Sequence, residues 1–235
     1  MRPVGGPTIL ARMADPRSRE GARYGTPEVV AWLDGLHARH DTPLSEAFEA
    51  DTRHGLPSIQ VAPSEGALLG LMARLTGAKR AVEVGTLAGY SAIHLARGMG
   101  EGGRLWTLEN DPKHAEVARA NLAAAQLDAQ VEVRLGDATD SLTALEAHAP
   151  FDLVFLDADK GRYDRYAAWA FANLREGGVL LADNVYFFGR LLDEEDPDAA
   201  AMRRFHTEVA GRFASTVIPT PDGLLLGLKT PAKTP

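Results

Sequence analysis

The spacing of apolar residues divides the chain near Gly77. Before it, apolar side chains recur every three or four positions. Val30, Leu33, Leu36 and His37 predict helix between Pro27 and Glu49, with a second short helix after Thr42-Pro43. Leu68, Leu71, Met72 and Leu75 form an apolar stripe that predicts a helix from Ser64 to Leu75, with Ser64 as its N-cap. Beyond Gly77 short apolar runs alternate with helical stretches. Arg80–Val84, Arg104–Glu109, Val131–Leu135, Asp152–Asp157 and Gly178–Asp183 read as strands. Helices are expected from about Tyr90 to Gly98, after Asp111-Pro112, through Tyr166 and Leu174, and from Asp198 to Phe213. In the second of these, Ala115, Ala118, Leu122 and Ala125 share a face. Two last strands flank Thr220-Pro221-Asp222-Gly223, whose Asp-Gly is a hairpin signal.

Strands separated by helices imply right-handed crossovers and an α/β, doubly wound, mostly parallel sheet covered on both faces. The closing hairpin adds an antiparallel strand near one edge. Residues 1–25, rich in Gly, Pro and Arg, read as a loose arm. Residues 1–54, the arm and first helices, are expected to belong to the same unit as a domain over 55–235.

Ligands of such sheets bind beyond the carboxyl ends of the strands, so the residues that finish strands carry the candidate chemistry. The first strand ends in Glu83-Val84-Gly85-Thr86-Leu87-Ala88-Gly89-Tyr90-Ser91. Gly85 and Gly89 allow a tight turn and a close approach to a ligand. The G-x-x-x-G spacing lacks the dinucleotide fingerprint and the P-loop Gly-Lys-Ser/Thr, and Ile93 breaks a nucleophile elbow. Glu109, ending the second strand, can accept ribose hydroxyls, and Asp137, after the third, an adenine amino group.

Asp157 and Asp183 end the fourth and fifth strands, and Asn184 adds an amide oxygen. Neighbouring strands lie about 4.8 Å apart, so two such carboxylates can share one hard cation if their strands are adjacent. Lys160 opens the following helix, where the dipole disfavours a cation. An ammonium beside a dication gives up its proton more readily, which suits a general base.

Composition narrows the classes. The 235 residues are 45% hydrophobic, which fits a globular α/β domain. A net charge of −7 disfavours a broad phosphate-binding surface. With no cysteine, thiolate metal sites and cysteine nucleophiles are excluded. Neither a membrane span nor a signal peptide is read, so the expectation is a cytoplasmic protein.

Three stretches together resemble the cation-dependent O-methyltransferases of the class I fold, the catechol and caffeoyl-CoA O-methyltransferase group. They are Glu83 to Ser91, Phe155-Leu-Asp-Ala-Asp-Lys160 with Tyr163 and Tyr166, and Gly177 to Val185 followed by Gly189. The likeness spans roughly residues 55–229. It implies a Rossmann-like seven-stranded sheet of order 3-2-1-4-5-7-6 with strand 7 antiparallel, plus N-terminal helices. It also implies S-adenosylmethionine (SAM) as methyl donor. Glu83, Gly85 and Ser91 would hold the amino-acid end, with Val61 and Thr86 close by. Glu109 would take the ribose, Asp137 and Ala138 the adenine, and Asp157 would also lie beside the cofactor. Mg²⁺ (or Mn²⁺ or Ca²⁺) would be held by Asp157, Asp183 and Asn184, with Lys160 as general base.

The resemblance further implies a homodimer acting on a catechol-like small molecule rather than on nucleic acid or at a membrane. Ala158-Asp159 stands where mammalian catechol enzymes carry aromatic residues, which is more similar to the caffeoyl-CoA and bacterial natural-product branch. The competing expectations are a tRNA hydroxyuridine O-methyltransferase, an NAD-dependent oxidoreductase and a SAM-binding module without turnover.

Overall fold

The computed structural model describes residues 24–231, so nearly all of the arm expected over 1–25 lies outside the described residues. The described residues divide into two compact units, the first ending at Arg39 and the second beginning at His40. In the first, Thr26 caps α1 (Pro27–His37) by accepting from the Val29 N–H, and Pro27 stands where no N–H is needed.

The second unit begins with α2 (Thr42–Phe48), α3 (Ala50–His54) and α4 (Pro63–Leu75). There follow β1 (Arg80–Val84), α5 (Tyr90–Met99), β2 (Arg104–Glu109), α6 (Pro112–Ala124), β3 (Val131–Leu135), α7 (Ala138–Leu145) and β4 (Phe151–Leu156). The chain continues with α8 (Tyr163–Asn173), β5 (Leu174–Ala182), α9 (Pro197–Arg212), β6 (Phe213–Ile218) and β7 (Leu224–Lys229). The sheet order is β3-β2-β1-β4-β5-β7-β6, with β7 antiparallel to both neighbours. That is the expected order. The two-residue period of the strands feeds two cores. Val82, Val84, Val154, Leu156 and Leu180 pack with Tyr163, Tyr166, Met202 and Phe205 of α8 and α9. Ala81, Leu153, Phe155 and Leu181 pack with Leu69, Ile93 and Leu122 of α4, α5 and α6.

Several boundaries differ from the pattern. Leu174 and Phe213, read as the ends of helices, begin strands, and α7 was not anticipated. Gly223 closes a five-residue loop between β6 and β7 rather than a two-residue turn. The largest departure is α4. Ser64 is its second residue, not its cap, and the stripe of Leu71 and Leu75 is exposed. The buried side carries Glu65, Gly66, Leu69 and Ala73 instead.

The reason is close packing on α5. A β-carbon on Gly66 would lie 2.6 Å from the His94 ring, and one on Gly70 2.9 Å from the His94 carbonyl. A β-carbon on Gly98 would collide with the Gly70 carbonyl. Small residues let the two helices approach, so they, rather than the leucines, choose the buried side. Replacing a helical glycine by alanine ordinarily stabilises by about 1 kcal/mol. Here Gly98→Ala should instead lower stability by about 2 kcal/mol, because the backbones must part. Urea unfolding measures it, and a gain in midpoint at unchanged slope would refute the close approach.

Candidate active site

Strand register builds the site. Val84 pairs with Leu108 on one side and Leu156 on the other, and Leu156 pairs with Ala182. The next residues along the four strands, Gly85, Glu109, Asp157 and Asp183, therefore stand in one row at the carboxyl edge. Backbone bonds carry the row past the last pairs, with Gly85 N to Leu108 O at 3.0 Å, Asp157 N to Val84 O at 2.8 Å and Asp183 N to Leu156 O at 2.9 Å. Above it opens a cavity of about 980 Å³. Val61, Gly85, Thr86, Ser91, Glu109, Asp137, Ala138, Asp157, Lys160, Asp183 and Asn184 all line it. Glu83 is the one candidate residue set behind the wall, fully buried.

At the nucleotide end, Gly85 has φ +102°, and a β-carbon there would collide with the Asp157 carbonyl. Glu83 Oε2 accepts from Thr107 Oγ1 at 2.6 Å, which is in turn 2.6 Å from Thr86 Oγ1. Glu83 Oε1 is buried without a hydrogen-bond partner. Burial pushes this carboxyl up to about 8, against the pull of the Ser91 and Thr107 hydroxyls. Glu109 accepts four backbone N–H groups, from Thr86 and Leu87 on one oxygen and Asn110 and Asp111 on the other. A ribose held there has to share those lone pairs. Asp137 caps α7 through Thr139 N at 2.7 Å and pairs with Arg162 at 2.7 Å. The guanidinium holds its carboxyl down to about 2.

At the other end, Lys160 Nζ lies 3.1 Å from Asp157 Oδ1 and 2.7 Å from the Tyr163 hydroxyl. That hydroxyl lies 3.1 Å from the carbonyls of both Leu156 and Asp183, tying the ends of β4 and β5 to the lysine. Asp183 Oδ2 accepts from the Asn184 amide at 3.1 Å, while Oδ1 is buried with no partner. Burial, then the like charges of Asp157 and Glu65, raises the Asp183 carboxyl well above the usual carboxylate range. Among the described residues no three carboxylate or imidazole groups converge tightly enough to enclose an ion. Two carboxylates, one with an orphaned oxygen, and an adjacent amide still form a donor set that fits a hard divalent ion, with remaining positions open to water and substrate oxygens.

The fold that carries this site is shared with known proteins. The O-methyltransferase family matches residues 36–230. The chain belongs to that family. This methyltransferase is 47% identical over 179 residues to a catechol O-methyltransferase of Mycobacterium tuberculosis, covering 76% of this chain and 81% of the relative. It is 42% identical over 187 residues to a catechol O-methyltransferase of Niastella koreensis, covering 78% and 85%. Among solved structures, TomG of Streptomyces achromogenes, an O-methyltransferase of tomaymycin synthesis in complex with SAM, superposes with TM-score 0.83 at 39% identity, covering 87% of this chain and 96% of that one. An O-methyltransferase from Bacillus cereus bound to S-adenosylhomocysteine (SAH) gives 0.82 at 37%, covering 86% and 97%.

The mouth of the cavity held residues that sequence reasoning passed over. Phe187 and Phe188, like the expected ligand Asn184 before them, have φ between 50° and 56°, which side chains with a β-carbon rarely adopt. The loop is pinned by Val185 N to Gly223 O and Tyr186 N to Asp222 O, both 3.0 Å. Phe188 stays 60% exposed, and Ile59 across the mouth 69%. Glu65 also lines the cavity, and its only signal was an acid three residues after the helix entry at Ala62.

The buried Glu83 gives a pH signature. Its folded proton affinity lies above the ordinary 4.5, at about 8. The fold therefore prefers the protonated form. Stability is fully present below pH 4.5 and is lost as pH rises towards about 8, by up to about 1.4 kcal/mol per pH unit. Thermal unfolding of the ligand-free enzyme should show Glu83→Gln gaining on the parent between pH 5 and pH 8. A constant gap would mean that Glu83 is ionised in the fold throughout.

Proposed function

We propose that this enzyme methylates one of two adjacent hydroxyls on a catechol-like small molecule, with a divalent cation and with Lys160 as general base. The observation that carries the reading is the placement of the Lys160 amine between Asp157 and Tyr163, beside the orphaned oxygen of Asp183, in one cavity with the SAM-facing glycine turn. Gly85, Thr86, Ser91 and Val61 would hold the amino-acid end of SAM, Glu109 the ribose, and Asp137 and Ala138 the adenine. Glu83 supports that end from behind the wall. Asp157, Asp183 and Asn184 would hold a divalent ion (Mg²⁺, with Mn²⁺ or Ca²⁺ as substitutes), which would supply Lewis-acid chemistry that lowers the proton affinity of an acceptor hydroxyl.

The protein's own part is alignment and proton removal. Asp157 and Tyr163 fix the amine from two sides, and a proton taken by Lys160 is stabilised by the Asp157 carboxylate. Attack of an oxygen anion on a sulfonium methyl removes charge, so holding the reactants in line matters more than stabilising new charge. Phe188 and Ile59 give the mouth apolar walls that suit a flat aromatic ring. The relatives named catechol O-methyltransferases support the acceptor class. Ala158 and Asp159, beside Lys160, also line the cavity, with the Asp159 carboxylate engaged by Tyr166 and Arg162.

Net charge −7 favours a small molecule over a nucleic acid, and the exposed Leu71 and Leu75 of α4 favour a homodimer. No helix among the described residues is long and apolar enough to cross a membrane.

Methyl transfer to caffeate, caffeoyl-CoA and 3,4-dihydroxybenzoate should occur with Mg²⁺ and stop with EDTA. Turnover that survives chelation would remove the cation from the mechanism. Lys160→Ala should lower kcat by about 10²- to 10⁴-fold with SAM affinity retained. Unchanged turnover would remove the lysine.

A further inference from the structure

Glu65 has a carboxylate that its structural duty does not explain. It stands in the first turn of α4, behind Ala62 and Pro63. Its Oε2 accepts from the Ala62 N–H at 3.0 Å, which ties off the chain entry that Ala62, without a side-chain acceptor, cannot cap itself. A glutamine would do the same with no charge. Yet the carboxylate is 92% buried, since only 8% of the residue is accessible, and Oε1 has no hydrogen-bond partner at all. A buried acid with an empty oxygen is costly unless something absent from the free protein completes it.

Its position says which end of the cavity it serves. Glu65 is among the like charges that act on Asp183. Glu83, behind the amino-acid end of SAM, instead feels Asp157 and Glu109. Glu65 and Asp183 each keep one buried oxygen without a donor, and both line the same cavity. No three acids among the described residues lie close enough to enclose an ion directly, which leaves Glu65 outside the set of direct ligands. A hard divalent ion keeps part of its hydration, and its waters need acceptors.

We propose that Glu65 is a positioning residue of the cation site, its Oε1 accepting from the hydration shell of the ion held by Asp157, Asp183 and Asn184. The inference rests on the cation reading given above. It makes the N-terminus of α4 part of the acceptor end as well as the wall of the SAM end. One short helix start then links the two ligands, through Val61 to the cofactor and through Glu65 to the ion.

The test is binding of Mn²⁺ to the full chain, followed by calorimetry with and without SAH, in the parent and in Glu65→Gln. The variant keeps an acceptor for the Ala62 N–H, so the helix start is preserved. Mn²⁺ affinity should fall about tenfold, the lower end for loss of an outer-shell partner, with SAH affinity within twofold. A purely structural Glu65 predicts no such split. Equal Mn²⁺ affinity in the two proteins overturns the assignment to Glu65 alone. Parallel loss of Mn²⁺ and SAH binding overturns it in favour of a general packing role. A parent that binds no Mn²⁺ in either condition overturns the cation reading itself, and this inference with it.

Discussion

The register of β2, β1, β4 and β5 is the constraint on which the site depends. Because Val84, Leu108, Leu156 and Ala182 share a row, the residues that follow them must emerge at one level. Three of those four are acids. The fourth is Gly85, which cannot be larger because the Asp157 carbonyl occupies the space of its β-carbon. Parallel strands, all pointing the same way, thus concentrate negative charge on a single edge. Shifting any one strand by a residue would turn its acid to a face of the sheet.

The protein answers that charge differently at each position. Four backbone N–H groups surround Glu109. Arg162 neutralises Asp137, and Lys160 neutralises Asp157. At Glu83, two residues behind the row, burial raises the proton affinity of the carboxyl instead. Asp183 and Glu65 receive no cation of comparable closeness, and each retains an oxygen without a donor. A cavity built this short of positive charge is suited to ligands that bring it, a sulfonium at one end and a divalent ion at the other.

Much of this was legible in the sequence because strand ends announce themselves. Apolar runs that end at or beside an acid located Glu83, Glu109, Asp157 and Asp183 and the alternation that orders them. What stayed illegible depends on contacts between distant segments. The buried side of α4 is chosen by Gly66, Gly70 and Gly98 meeting another helix, so the leucine stripe misled. Glu65 was hidden for the same reason. It carries an ordinary first-turn acid's signature, and only the fold shows its free oxygen inside a cavity. The left-handed Phe187 and Phe188 were equally invisible, since no local rule places phenylalanine at positive φ.

That last loop separates the fixed part of the chemistry from the variable part. The row of acids is set by strand pairing and cannot move without unravelling the sheet. The segment from Asn184 to Gly189 leaves the row immediately, and is held by two backbone bonds to the β6–β7 loop and by Val185 and Phe187, which are buried against α9. Asn184 therefore sits at a hinge between the two regimes, with its φ of +56° turning the chain from β5 towards the mouth. Changes in Phe188, Ile59 or the 219–223 loop can reshape the mouth while leaving the carboxylate row and Lys160 where they are. The shape of the mouth can thus change while the carboxylate row stays fixed, because the two are anchored to different parts of the fold.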